Sequence, residues 1–202
     1  MRGLDELFDE YTALLKEDPR IIRSKRDLAN ALETLLTQKS LENITIKEIA
    51  HTAMVSKLTF YNNFDDKDDL LVFLLNRYGI QILNSVHEIL ASDLPSAEKY
   101  SRTVEGIVMY LYKSPTPLRR IIENDSSKAF YWSLEEYIRH LCVKVLGIYK
   151  GIIDCSVPPE IFSSYFSGAF TGLIYHLVKE DKYQPEEIVK YIINLTVPKF
   201  KK

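Results

Sequence analysis

Residues 45–64, TIKEIAHTAMVSKLTFYNNF, decide how this chain folds. Thr45 stands where a helix N-cap belongs, and Glu48 three residues later completes a capping box. Ile46, Ile49 and Ala50 give the helix that follows, expected over 45–52, a buried side. Met54 and Val55 lie in a short connection, and Ser56 can cap a second helix over 56–64. Two short helices joined by a tight turn make a helix-turn-helix. Wound as a helix, 56–64 brings Phe60 and Phe64 together as an anchor. Leu58, Thr59 and Asn62 fall on the opposite side, flanked by Lys57 and Tyr61. Such a face suits a DNA major groove: Asn pairs with adenine, Lys with guanine, and Leu or a Thr methyl touches a thymine methyl. An ordinary solvated helix face carries the same residue types, so the flanks must be read too.

The flanks are basic. Residues 19–64 hold Arg20, Arg23, Lys25, Arg26, Lys39, Lys47 and Lys57 against Asp27, Glu33, Glu42 and Glu48. The first eighteen residues are the reverse, with Arg2 and Lys16 against six acids. A net charge of -2 over 202 residues therefore conceals a local basic block, as phosphate binding requires.

Beyond this block the apolar spacing is helical almost everywhere. Leu28, Leu32, Leu35 and Leu36 recur at helical intervals, as do Leu70, Leu71, Leu74, Leu75 and Tyr78. No alternating strand and no Asn-Gly or Asp-Gly hairpin turn is found. The expected fold is all-α, with helices over 20–37, 67–91, 96–113, 117–124, 127–149, 158–179 and 185–195 besides the two above. Residues 3–16 form a further amphipathic helix, Leu4, Leu7, Phe8, Tyr11, Leu14 and Leu15 sharing one face. The chain divides into an acidic N-terminal extension (1–18), a helix-turn-helix domain (19–66) and a larger helical domain (67–202).

Cys142 and Cys155 lack metal-ligand spacing. A disulfide between them and two free thiols are both compatible with the sequence, and scattered thiols fit a reducing cytosol. No run approaches the roughly 18 apolar residues of a membrane span, and the N-terminus lacks a signal-peptide core. The expectation is a cytoplasmic protein with no cofactor and no metal. His51, His87, His140 and His176 are far apart, and no HExxH, GxGxxG, GxxxxGK[ST] or GxSxG is present. No enzyme is expected.

The run ITIKEIAHTAMVSKLTFYNNFDDKDDLL, residues 44–71, resembles the DNA-binding signature of the TetR family of bacterial transcription regulators. The matching positions are Thr45, Ile49-Ala50, Ala53, Val55-Ser56, Thr59-Phe60-Tyr61, Phe64, Lys67 and Leu70. The resemblance covers roughly residues 20–75, and the remainder agrees in length and helical character. It implies that Lys57, Leu58, Thr59 and Asn62 face bases, that Tyr61 and Asn63 touch the backbone or flanking bases, and that Lys47 reaches a base or a phosphate. Thr45 and Lys67 hold phosphates, Ser56 opens the reading helix, and Phe60 and Phe64 are core. Two departures stand out. The family usually has glycine where this chain has Met54, so the turn either avoids positive φ or carries a strained side chain. Asp65, Asp66, Asp68 and Asp69 surround Lys67, where Asp65 or Asp66 can cap the next helix but all four weaken phosphate contacts.

The resemblance implies a homodimer on a palindromic operator of double-stranded DNA, most members being repressors that a small effector releases. For the effector pocket the candidates are Tyr110, Tyr131, Trp132, Tyr137, His140, Phe166 and His176, each of which also reads as an ordinary core or half-exposed aromatic. A small apolar or aromatic effector fits this set. For the dimer interface the candidates are Ser164, Gly168, Thr171, Gly172, Tyr175, Ile188, Tyr191 and Ile192, because the helix over 163–177 is apolar or small on nearly every side. The alternative is a relative that keeps the fold and works through a protein partner.

Overall fold

The computed structural model describes residues 18–113, 117–148, 157–180 and 182–196. The acidic helix expected over 3–16 lies outside them. Among the described residues every regular element is helical: α1 (Pro19–Leu36), a 3₁₀ turn (Leu41–Asn43), α2 (Ile46–Thr52), α3 (Lys57–Tyr61), α4 (Lys67–Ala91), α5 (Ser96–Lys113), α6 (Leu118–Asn124), α7 (Ala129–Ile148), α8 (Pro159–Glu180) and α9 (Pro185–Thr196). The 3₁₀ turn is an element that apolar periodicity did not mark; it carries the buried Leu41.

Each early helix begins on a cap. Asp18 accepts from Arg20 N at 2.8 Å, with Pro19 at the first helical position, where its fixed φ suits a helix start. Thr45 and Glu48 form the complete capping box that opens α2. Ser56 accepts from Thr59 N at 3.0 Å to open α3. Asp66 accepts from the amides of Asp68 and Asp69, both at 2.8 Å, to open α4. Each carboxyl or hydroxyl satisfies amides that the first helical turn leaves without intrahelical partners. Helix α3 is shorter than the expected 56–64, yet Phe64 N still donates to Phe60 O at 2.9 Å, so the same winding runs into a turn.

The core begins in the angle between these helices. Leu28 and Leu32 of α1, Ile49 of α2, Phe60 of α3 and Leu70 and Leu74 of α4 are each fully buried. Phe60, Phe64 and Phe73 meet in a chain of rings 5.5–6.1 Å apart. Each such side chain contributes on the order of 1.5–3 kcal/mol through the apolar area it buries. The 25 residues of α4 span about 37 Å. This helix runs from the small N-terminal bundle, the reading head, into the helical body of α5–α9. Arg77 on α4 pairs with Glu33 of α1 at 2.9 Å and donates to Asn30 at 2.7 Å, while Tyr78 donates to Glu33. These contacts fasten α4 to α1 beside the core. In the body, α8 packs along α7 and α9 along α5, around Val108, Ile121, Phe130, Ile174, Ile188 and Ile192. No helix among the described residues is long and apolar enough to cross a membrane.

Candidate nucleic-acid interface

The turn between α2 and α3 keeps a positive φ. Met54 sits at φ 56°, in the left-handed region that L side chains rarely adopt, and its side chain is 93% exposed. The bend is therefore the one a glycine would make, with the strain retained. Ala50 O accepts from Val55 N at 2.9 Å and closes the connection.

Buried Phe60 and Phe64 hold α3 from behind, and the opposite face stands free. Leu58 is 69% and Tyr61 55% exposed. Ser56, Lys57 and Asn62 are exposed on the same short stretch, and Lys47 is exposed on α2. Thr59 is half-buried, and its hydroxyl lies 2.9 Å from the Ser56 hydroxyl. The outward surface thus combines an ammonium group, an amide, a phenol and one large aliphatic side chain on a five-residue helix and its C-cap, Asn62.

Three predicted contacts are placed differently. Asn63 is half-buried and turns inward: its Nδ2 donates to Thr59 O at 2.6 Å, and its Oδ1 is buried without a partner. It does not share the outward face of Asn62. The donors of Thr45 are both taken by one carboxylate, since its amide and its hydroxyl reach Glu48 Oε2 at 2.9 and 2.8 Å. Lys67 Nζ donates to Leu41 O at 2.8 Å and Ile44 O at 3.2 Å, which ties the start of α4 to the 3₁₀ turn and leaves one ammonium N–H for a phosphate. Lys39, counted with the basic block, pairs with Glu48 at 2.5 Å. The Lys39 hydrogen bond, with those from Thr45, holds the Glu48 carboxyl down at about 2, so the capping box stays ionised through the ordinary pH range. The internal role of Lys39 had no local signal in sequence, because its partner lies nine residues away in another element.

The pocket candidates are not gathered together. Trp132 (63%), His140 and His176 are exposed. Tyr110 donates to Gln81 at 2.6 Å. Phe166 stacks between Phe162 and Phe170 along α8, with interplanar angles of 11°. Tyr131 meets Tyr175 edge-on at 4.9 Å. The Tyr137 hydroxyl fills the notch at Gly79, only 2.1 Å from where a Cβ would stand. The reason is helical pitch: residues drawn from three helices by composition share no common direction.

The dimer candidates need a sharper correction. Thr171, Tyr175, Ile188 and Ile192 are buried in this chain's own core, at 0%, 6%, 1% and 1% exposure. They cannot meet a second copy without the core opening. Ser164 and Tyr191 are exposed, and Gly168 and Gly172 are half-buried. The free face of α8 also shows Ile161 and Tyr165, at 59% and 66%, and α9 adds Leu195 at 68%. Ile161 and Tyr165 were missed because an exposed apolar residue on a helix apolar all round leaves no periodic mark.

Residues 28–72 match the family model described as "Bacterial regulatory proteins, tetR family". Over 189 residues, 91% of its length, the chain is 22% identical to YxbF, an uncharacterized HTH-type transcriptional regulator of Bacillus subtilis (strain 168), and spans 47% of that protein. The chain spans about half the length of the curated relatives it matches. Its fold is similar to that of the fatty acid degradation regulator FadR from Bacillus halodurans (TM-score 0.62, 17% identity, 92% of this chain and 98% of that one). It is also similar to NalD, the secondary repressor of the MexAB-OprM multidrug efflux pump in Pseudomonas aeruginosa (TM-score 0.55, 16% identity, 87% and 94%).

Proposed function

We propose that this chain, which belongs to the tetR family of bacterial regulatory proteins, represses transcription as a homodimer that reads a palindromic operator and is released by a small apolar or aromatic effector. The observation that carries this reading is the exposed row Lys57, Leu58, Tyr61 and Asn62 on a helix anchored from behind by Phe60 and Phe64. Asn62 pairs with an adenine edge, Lys57 with a guanine, and Leu58 covers a thymine methyl. Tyr61, Ser56 and Lys47 engage the backbone and fix register. Lys67 adds its remaining N–H to a phosphate, and Thr45 acts indirectly, by capping α2.

The two copies join through Ile161, Tyr165 and Gly168 of α8 and Tyr191 and Leu195 of α9. These side chains are free on the single chain and apolar or small, as a four-helix contact needs. A two-fold dimer sets two α3 helices on half-sites one DNA turn apart, roughly 34 Å, which is why the operator is palindromic. Repression is the role of NalD, whose fold this chain resembles. To weaken operator binding about a hundredfold, the effector must favour the non-binding conformer by about 2.7 kcal/mol.

The test is selection of bound duplexes from a random pool, followed by affinity against salt for the winner. The expected result is an inverted repeat bound by a dimer, with log affinity falling linearly against log salt. Folded dimer that enriches no sequence at low salt overturns the reading.

A further inference from the structure

Three consecutive residues at the end of α6 face two ways. Asn124 Nδ2 donates to Thr37 O at 2.6 Å, and the Ser126 hydroxyl lies 3.0 Å from that of Ser40. Thr37 and Ser40 follow α1, so these two contacts hold the reading head. Asp125, between them, is 2% exposed and faces the body. Its carboxylate accepts from Phe130 N at 3.3 Å and Tyr131 N at 2.9 Å, which opens α7, and from the Tyr175 hydroxyl of α8 at 2.8 Å. Its carbonyl accepts from Lys179 Nζ at 3.0 Å, again from α8. The loop is held hard enough to keep Lys128 at φ 61°, a strained conformation that persists only where the surroundings over-determine it.

Helix α8 thus grips the loop with Tyr175 and Lys179, and along the same helix lies the free face of Ile161 and Tyr165. The path from that face to the reading head is one helix, one buried carboxylate and two hydrogen bonds. We propose that Asp125 is a positioning residue: it fixes the reading head against α8 and thereby sets the half-site spacing that the dimer accepts. This rests on the dimeric operator-binding reading above. Asp125 touches no DNA; it acts through Asn124, Ser126 and Tyr175.

The experiment compares the intact protein with Tyr175→Phe, which removes one hydrogen bond and keeps the ring, and with Asn124→Ala and Ser126→Ala, which release the head from outside the core. Affinity is measured on the selected operator and on versions with one base pair inserted or removed between half-sites. In parallel, spin labels at position 47 of both copies report the distance distribution between heads. The intact protein rejects the altered spacings; in each variant that discrimination falls about tenfold, the scale of one hydrogen bond. The spin-label distribution, taken without DNA, broadens, while in the unlabelled variants base preference within a half-site and the dimer mass stay unchanged. Loss of stability alone would lower all affinities together without moving the spacing preference. If Asn124→Ala and Ser126→Ala, folded and dimeric, keep the original spacing discrimination and the original distance distribution, the inference is overturned. If the intact protein binds no duplex, the operator reading fails instead, while the distance distribution still decides whether the joint positions the heads.

Discussion

The reading head and the helical body are built from the same kind of element, yet they differ in what holds each helix in its orientation. In the head, each helix begins on a side chain of its own: Asp18, Thr45, Ser56 and Asp66 cap α1 to α4. A cap fixes where winding starts, and the start fixes which residues point outward. In the body, α8 is apolar or small on nearly every side, and its direction is decided by what packs on it. Thr171 and Tyr175 turn inward although Gly168 and Tyr165 nearby do not. Local chemistry orients the head; tertiary contact orients the body.

The largest effect tests whether the head depends on its core as much as on its caps. Phe60→Ala should destabilise by about 3–5 kcal/mol, since a fully buried ring leaves a cavity behind. Urea unfolding followed by circular dichroism measures this, and operator binding should be lost with it. A loss below about 1 kcal/mol would mean that the caps alone orient α3.

The matching test in the body is Gly79→Ala, expected to cost about 1–3 kcal/mol because a methyl there collides with the Tyr137 hydroxyl. The double variant with Tyr137→Phe should regain most of it, the clash being with one oxygen. Gly168→Ala meets nothing within 4 Å in the single chain. It should leave monomer stability within about 0.5 kcal/mol and weaken dimerisation, read by sedimentation. An unchanged dimer would remove Gly168 from the interface.

The two lysines of the head separate stability from recognition. Lys67→Ala removes two charged hydrogen bonds to backbone carbonyls and should lower stability by about 1–3 kcal/mol. It should also weaken binding to all sequences alike and flatten the salt slope, through the N–H left for a phosphate. Lys57→Ala should leave the melt within about 0.5 kcal/mol and relax preference at one base pair by about 1–3 kcal/mol. Exchanged results would reverse the two assignments.

The same contrast explains how much could be read before the fold was known. Among the described residues all the helices but the shorter α3 fall within about two residues of their expected bounds, because apolar spacing and proline punctuation are local. Of the expected outward set, Lys57, Leu58, Tyr61 and Asn62 are exposed, and they were legible because Phe60 and Phe64 mark the opposite side; Thr59 is half-buried, its hydroxyl beside that of Ser56. Asn63 was not legible: one residue past Asn62 it turns its amide back to Thr59 O, at the point where α3 gives way to a turn. Lys67 carried the family's phosphate role by position, but its carbonyl partners lie 23 and 26 residues away. For Thr171, Tyr175, Ile188 and Ile192, burial against other helices decided the matter, and no spacing within one helix records that.

Met54 sharpens the comparison at its smallest scale, since there the head's local chemistry opposes its fold. A left-handed conformation costs a side chain roughly 1–2 kcal/mol, while glycine adds unfolded-state entropy of roughly 0.5–1 kcal/mol. Met54→Gly should therefore stabilise by about 0.5–1 kcal/mol, read as a higher urea midpoint at unchanged slope. Met54→Ala keeps a Cβ and removes only an exposed chain, so it should gain nothing. If alanine gains as much as glycine, the exposed side chain rather than the φ of 56° is the source of the strain, and the turn is better adapted to this sequence than its geometry implies.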